Sequence, residues 1–231
     1  MLEKLCNVDH NFLFYFGFLV VIIFISLSYW QFNSYLQDKD IIQKIVNTEN
    51  PAPVTLSDLY SNNQEVIFEY NNVEIIDGDQ LEIVKSWYLR SRVHNGVNGY
   101  HLVTLYRHNI TERNILVKNG WVPLDKNIDR TFLNEKTIFI GRLINYDRQT
   151  FGQDDIPNSE YLFRIDKEFI ENETQTNLPN LYITLTKSCG SGVECINLTD
   201  PYDAHHLSYS FQWLFFALCL IIVILRKNKI I

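Results

Sequence analysis

Two uncharged, strongly apolar stretches lie at opposite ends of the chain, about Phe12 to Trp30 and about Leu207 to Leu225. Each is roughly 19 residues, close to the ~20 helical residues that cross a hydrocarbon core of ~30 Å. The thirteen Phe, Leu, Ile and Val residues of the first stretch favour insertion by roughly 4 to 8 kcal/mol. A cleaved signal sequence fits it less well. The apolar run exceeds an ordinary h-region and ends in Tyr29-Trp30-Gln31-Phe32, where a peptidase requires small residues. The pattern therefore predicts two transmembrane helices, 12–30 and 207–225, with Tyr29 and Trp30 as an interfacial aromatic belt. Beyond the first, Ile41, Ile42, Ile45 and Val46 repeat at helical spacing and predict a short continuation above the membrane. Asn50-Pro51-Ala52-Pro53 breaks it.

From there the rhythm is that of strands. Segments rich in Ile, Val, Tyr and Phe are Glu65–Asn72, Gln80–Arg92, His101–Arg107, Asn114–Pro123, Thr137–Asn145, Tyr161–Asp166 and Leu181–Thr186. Polar turns such as Asp77-Gly78-Asp79 and Asn95-Gly96-Val97-Asn98-Gly99 separate them. Short strands without intervening amphipathic helices predict an antiparallel sheet or partly closed barrel. The fold class expected is membrane α+β, with two transmembrane helices flanking a β-rich outer domain at 31–206.

Charge sets the expected topology. Arg226-Lys227-Asn228-Lys229 puts three cations just beyond the second stretch, and the nearest cation on its other flank is Lys187. The positive-inside rule assigns the tail, 226–231, to the inner side, and two spans return the N-terminal segment, 1–11, to that side. The region 31–206 is then outside. It holds 16 Lys and Arg against 25 Asp and Glu, a net charge of −9. That balance argues against nucleic acid or an anionic lipid surface as partner. Sequons at Asn109, Asn172 and Asn197 read as chance in a chain this rich in Asn.

No nucleophile elbow, P-loop, dinucleotide fingerprint or H-E-x-x-H helix is present. Cys189-Gly190-Ser191-Gly192-Val193-Glu194-Cys195 is the notable thiol arrangement. Outside a membrane a disulfide is the leading reading, with free thiols or a metal or redox role as alternatives. Cys6 and Cys219 read as inert. His205 and His206 stand immediately before the second stretch. Imidazole is a good axial ligand for haem iron, although chemistry alone favours the plainer reading of interfacial residues hydrogen-bonded to headgroups or backbone.

Several local patterns, in order along residues 12–225, resemble the Surfeit locus protein one family. They are Trp30-Gln31, then Gly99-Tyr100-His101-Leu102-Val103-Thr104 with Ile115-Leu116-Val117-Lys118-Asn119-Gly120-Trp121-Val122-Pro123. Gly141-Arg142-Leu143, Arg164-Ile165-Asp166 and His206-Leu207-x-Tyr209 with Trp213 follow. The chain departs from that family in four places. Ser34 and Asp38 stand where basic residues are usual, Lys118-Asn119-Gly120-Trp121 lacks the family's Arg, Asp203-Ala204-His205-His206 replaces Pro-Asn-Asn-His, and the Cys189/Cys195 pair is extra.

The resemblance implies an assembly factor for cytochrome c oxidase, not an enzyme, that binds haem a and helps insert it into the large oxidase subunit. It makes His206 the haem-ligand candidate, with His205 able to substitute, and allows Trp213 as a wall of the haem sheath, although an interfacial anchor explains that Trp equally well. The implied partners are haem–copper oxidase subunits, the haem a synthesis machinery and the lipid bilayer. Gly120-Trp121 reads as a strand bulge with Trp121 in the core, and Gly99 as a turn residue. Without an Arg- and Ser-rich transit segment ahead of the first stretch, a bacterial inner membrane is favoured over a mitochondrial one. Two alternatives remain: a scaffold that clamps oxidase subunits without touching haem, and a membrane-tethered enzyme dependent on the cysteines or carboxylates.

Overall fold

A computed structural model of the chain describes residues 10–48, 50–61, 67–124, 133, 135–147, 154–196, 198 and 206–228, with the side chains of 10–13 and 91 excepted. Cys6, Asn197 and His205, and the first residues of the strand expected from Glu65, lie outside this set. The chain forms two compact units, Met1–Gln43 with Pro201–Ile231, and Lys44–Asp200.

Helix α1 runs His10–Asn47, 38 residues without a break, or about 57 Å at 1.5 Å per residue. Neither Gly nor Pro interrupts the sequence between Trp30 and Asn47, so the expected continuation belongs to the same helix. Helix α4, His206–Lys227, carries Arg226 and Lys227 in its last turn, where cations complement the helix dipole.

The second unit is built on one eight-stranded sheet. Its strands are β1 (Ala52–Val54), β2 (Asn72–Ile75), β3 (Leu81–His94), β4 (Val97–His108), β5 (Asn114–Pro123), β6 (Phe139–Asn145), β7 (Tyr161–Leu162) and β8 (Leu181–Lys187). Two short helices join them, α2 (Leu56–Tyr60) and α3 (Lys167–Thr174). The strand order is β1-β2-β6-β8-β5-β4-β3-β7. The expectation of an antiparallel sheet or partly closed barrel is corrected on both counts: the sheet is mixed and open. β1 pairs β2, β5 pairs β8 and β3 pairs β7 in parallel, and the remaining pairs are antiparallel. The parallel ladders involve only two or three residues on each side, as in Val117↔Ile183 and Lys118↔Thr184. They leave no long hydrophobic run in the sequence to announce them.

Both edges are blunted. β1 carries Pro53, which offers no N–H. Beside β7, Ser159 Oγ accepts from Tyr161 N at 3.0 Å and Asp155 Oδ1 accepts from Phe163 N at 2.6 Å. Side chains thus occupy donors that an exposed edge would offer to another strand.

Central strands β4 and β5 are buried on both faces. Leu102 and Tyr106 join one apolar cluster with Ile115, Val117, Ile183 and Leu185. Val103 and Leu105, pointing the other way, join Leu116, Trp87, Leu89 and Ile170 of α3. Helix α2 adds Leu56 and Leu59 to the first cluster and begins with a Thr55/Asp58 capping box. Helix α3 is capped by Asp166, which accepts from Phe169 N. Buried Arg142 donates to Thr48 O at 3.3 Å, Thr48 Oγ1 at 2.9 Å and Tyr70 O at 2.8 Å. These contacts tie three backbone segments together and place a cation just past the last turn of α1.

Candidate functional site

In the first unit, α1 and α4 pack as antiparallel partners. Gly17 lies against Ile224, Phe24 against Trp213 and Phe216, and Ser28 against Ser210. The Ser contact is reciprocal: Ser28 Oγ donates to Ser210 O, and Ser210 Oγ donates to Ser28 O, both at 2.9 Å. Small residues here allow close approach of the two backbones. One turn further along, the His206 imidazole meets α1. Its Nδ1 lies 2.5 Å from Gln31 Oε1 and its Nε2 3.7 Å from Asp38 Oδ2. Gln31 and Asp38 are seven residues apart and share a face of α1.

Trp213 stands two turns along α4 from His206 on the same face, its ring centroid 5.5 Å from Phe24 and 6.0 Å from Phe216. His206, Gln31, Asp38 and Trp213 are therefore brought to one side of the pair. Sequence reading assigned no role to Gln31 or Asp38, although both were visible, one in the Trp-Gln pair and one as a departure from the family pattern. Their i,i+7 spacing was the signal that could have joined them.

The second unit holds another constellation. The β4–β5 register passes from Leu102↔Gly120 to Val103↔Lys118, leaving Asn119 as the extra residue of a bulge. Gly120 has φ +149°, and a Cβ there would sit 2.4 Å from Glu194 O. Trp121 and Glu194 exchange both backbone hydrogen bonds, at 2.7 and 2.9 Å. Glu194 belongs to the turn closed by the Cys189–Cys195 disulfide, so the disulfide loop packs directly on Gly120-Trp121. Gly99 does not form the turn expected from sequence: it pairs with Arg92 in the β3–β4 ladder. It lies within β4 under the Trp121 indole, where a Cβ would come within 2.6 Å of the ring. The hairpin turn is made by Asn95 and Gly96, both at positive φ.

Beside Trp121, a row of polar groups crosses the sheet. Burial, then the charges of Lys118, Arg92 and His94, hold the His101 imidazole down at about 2. Burial and the Arg92 charge push the Lys118 ammonium down to about 8 against the pull of Asp147. Its Nζ lies 5.6 Å from the Tyr182 ring centre. In both, burial away from water disfavours the charged form.

Among the described residues, no cluster of three or more His, Cys, Asp and Glu side chains is arranged to hold a metal ion. The elements define a class: two terminal helices long and apolar enough to cross a membrane, carrying a mixed-sheet domain between them. The sequence model of the SURF1 family matches residues 18–218. The chain belongs to that family, whose members are assembly factors for cytochrome c oxidase. No individually curated protein matches it.

Proposed function

We propose that this chain shelters haem a during assembly of cytochrome c oxidase and assists its insertion into the large catalytic subunit, with His206 as the iron ligand. The observation that carries this reading is the imidazole at the start of α4, its Nδ1 engaged by Gln31. Metal-ligating histidines characteristically donate their second ring N–H to a carbonyl or carboxylate. The donor set suits haem, which needs one or two axial ligands and an apolar surround. Trp213 and Phe24 would supply part of that apolar wall. His205 is the neighbouring alternative ligand.

Many apolar side chains of both helices face outward, with Phe18, Ile22, Phe211 and Phe215 about half or more exposed. A lipid surround would relieve that exposure. Both termini would then lie in the cytoplasm and the sheet domain in the periplasm of a bacterial inner membrane. The partners in this reading are oxidase subunits and the enzymes that make haem a.

The test is a reduced-minus-oxidised optical spectrum of membranes from cells with the gene intact, deleted or encoding His206→Ala. Loss of the a-type haem signal in both altered strains is expected. A normal signal in the deletion would refute a role in oxidase assembly, and loss in the deletion alone would refute the role of His206.

A further inference from the structure

We infer that Gln31 is a positioning residue that decides which nitrogen of His206 faces a ligand. This rests on the assignment of His206 as the haem ligand and adds the device that prepares it. The Gln31 side-chain carbonyl oxygen can only accept a hydrogen bond. The Nδ1 it contacts therefore carries the ring hydrogen, and in the neutral imidazole the lone pair sits on Nε2. An unrestrained imidazole samples both tautomers and rotates about its side-chain bonds. Here one contact removes both freedoms.

The contact is itself held in register. Ser28 is three residues before Gln31 on α1, and Ser210 is four residues after His206 on α4. Their reciprocal hydrogen bonds, both 2.9 Å, fix the axial offset of the two helices one turn from the His–Gln pair. A slip by one residue would rotate Gln31 away by about 100°. Asp38 Oδ2, at 3.7 Å from Nε2, is beyond hydrogen-bond length. The Gln31 contact is therefore the one that selects the tautomer, and Nε2 is left as the atom offered to iron.

The experiment uses the full chain in detergent micelles, with ¹⁵N-labelled histidine, without haem and under mildly alkaline conditions. The His206→Ala spectrum identifies the His206 ring signals by difference. Wild type is expected to show the hydrogen on Nδ1, Gln31→Leu a shift of population toward Nε2–H, and Gln31→Glu, which keeps an acceptor, the wild-type pattern. If Gln31→Leu fails to fold, Gln31→Asn, whose acceptor is drawn back by one methylene, must show the same shift. An Nε2–H ring in wild type, or an unchanged ring in the Leu or Asn variant, overturns the inference.

A second readout is titration with haem a. Gln31→Leu is expected to bind 10–100-fold more weakly, the range found when a metal ligand's orienting partner is removed, with recovery in Gln31→Glu. Undiminished binding by His206→Ala would instead overturn the haem-ligand assignment, an outcome distinct from that of the haem-free tautomer measurement.

Discussion

Replacing Lys118 by Met should stabilise the sheet domain at neutral pH. Lys118 lies on β5 beside the Asn119 bulge, its ammonium facing the Tyr182 ring at 5.6 Å. Burial and the Arg92 charge lower it from its ordinary 10.5 to about 8. That drop corresponds to about 3 kcal/mol of folding stability withheld while the group is charged. Methionine removes this penalty, fills a similar volume, and forfeits a cation–π contact of about 0.5–2 kcal/mol. A net gain of about 1–2 kcal/mol is expected.

The sign carries a pH signature. Between about 8 and 10.5 the unfolded chain keeps a proton that the folded chain has released, so wild-type stability rises with pH through that window. The advantage of Lys118→Met should be full below it and gone above it. Lys136, also lowered to about 8 by burial, is common to both proteins and cancels in the difference. The assay is urea unfolding of the full chain in detergent, followed by tryptophan fluorescence at several pH values. A variant less stable than wild type at neutral pH, or a difference that does not change across the window, would refute the reasoning.

Three further outcomes follow from the same unit. Gly120→Ala should cost roughly 3 kcal/mol or more, because its φ is +149° and a Cβ would meet Glu194 O at 2.4 Å; urea unfolding measures it. Replacing Cys189 and Cys195 by Ser opens a loop with a sequence separation of 6 and should cost about 2 kcal/mol. Unfolding of wild type with and without reductant should show the same difference. Acid should act through His101, which the unfolded chain protonates near its ordinary 6.5 and the folded chain only at about 2. Stability should therefore fall as pH drops through that window, by about 1.4 kcal/mol per pH unit for one proton. His101→Gln should flatten the slope in an acid titration followed by circular dichroism.

Elements whose signal is local were legible. Strand β5 has the limits expected from its two apolar runs, Ile115-Leu116-Val117 and Trp121-Val122, within Asn114–Pro123, and the helical spacing of Ile41 to Val46 merged with the first apolar stretch into α1. Gly120 ahead of Trp121 read as a bulge, and the register shows one. Other features depend on partners distant in sequence. The strand expected over Glu65–Asn72 forms instead at Asn72–Ile75, where Val73 and Ile75 reach the core and β6 supplies the ladder. Helix α3 was missed because its eight residues include one buried apolar side chain, Ile170, and its start rests on the Asp166 cap. Gly99 looked like a turn residue because the Trp121 ring that needs the space lies on another strand. The same holds for His206: its candidacy was visible as a residue, but Gln31 lies 175 positions away, and only the helix pairing brings them together.

The most direct test of haem handling is the haem content of the chain itself. It would be purified in detergent from membranes of cells that make haem a, with His206→Ala prepared in parallel, and bound haem measured as the pyridine haemochrome. The account predicts haem a in the wild-type preparation and its loss from the variant. Haem a in equal amount on both proteins, or on neither while the chain still supports oxidase assembly, would contradict it.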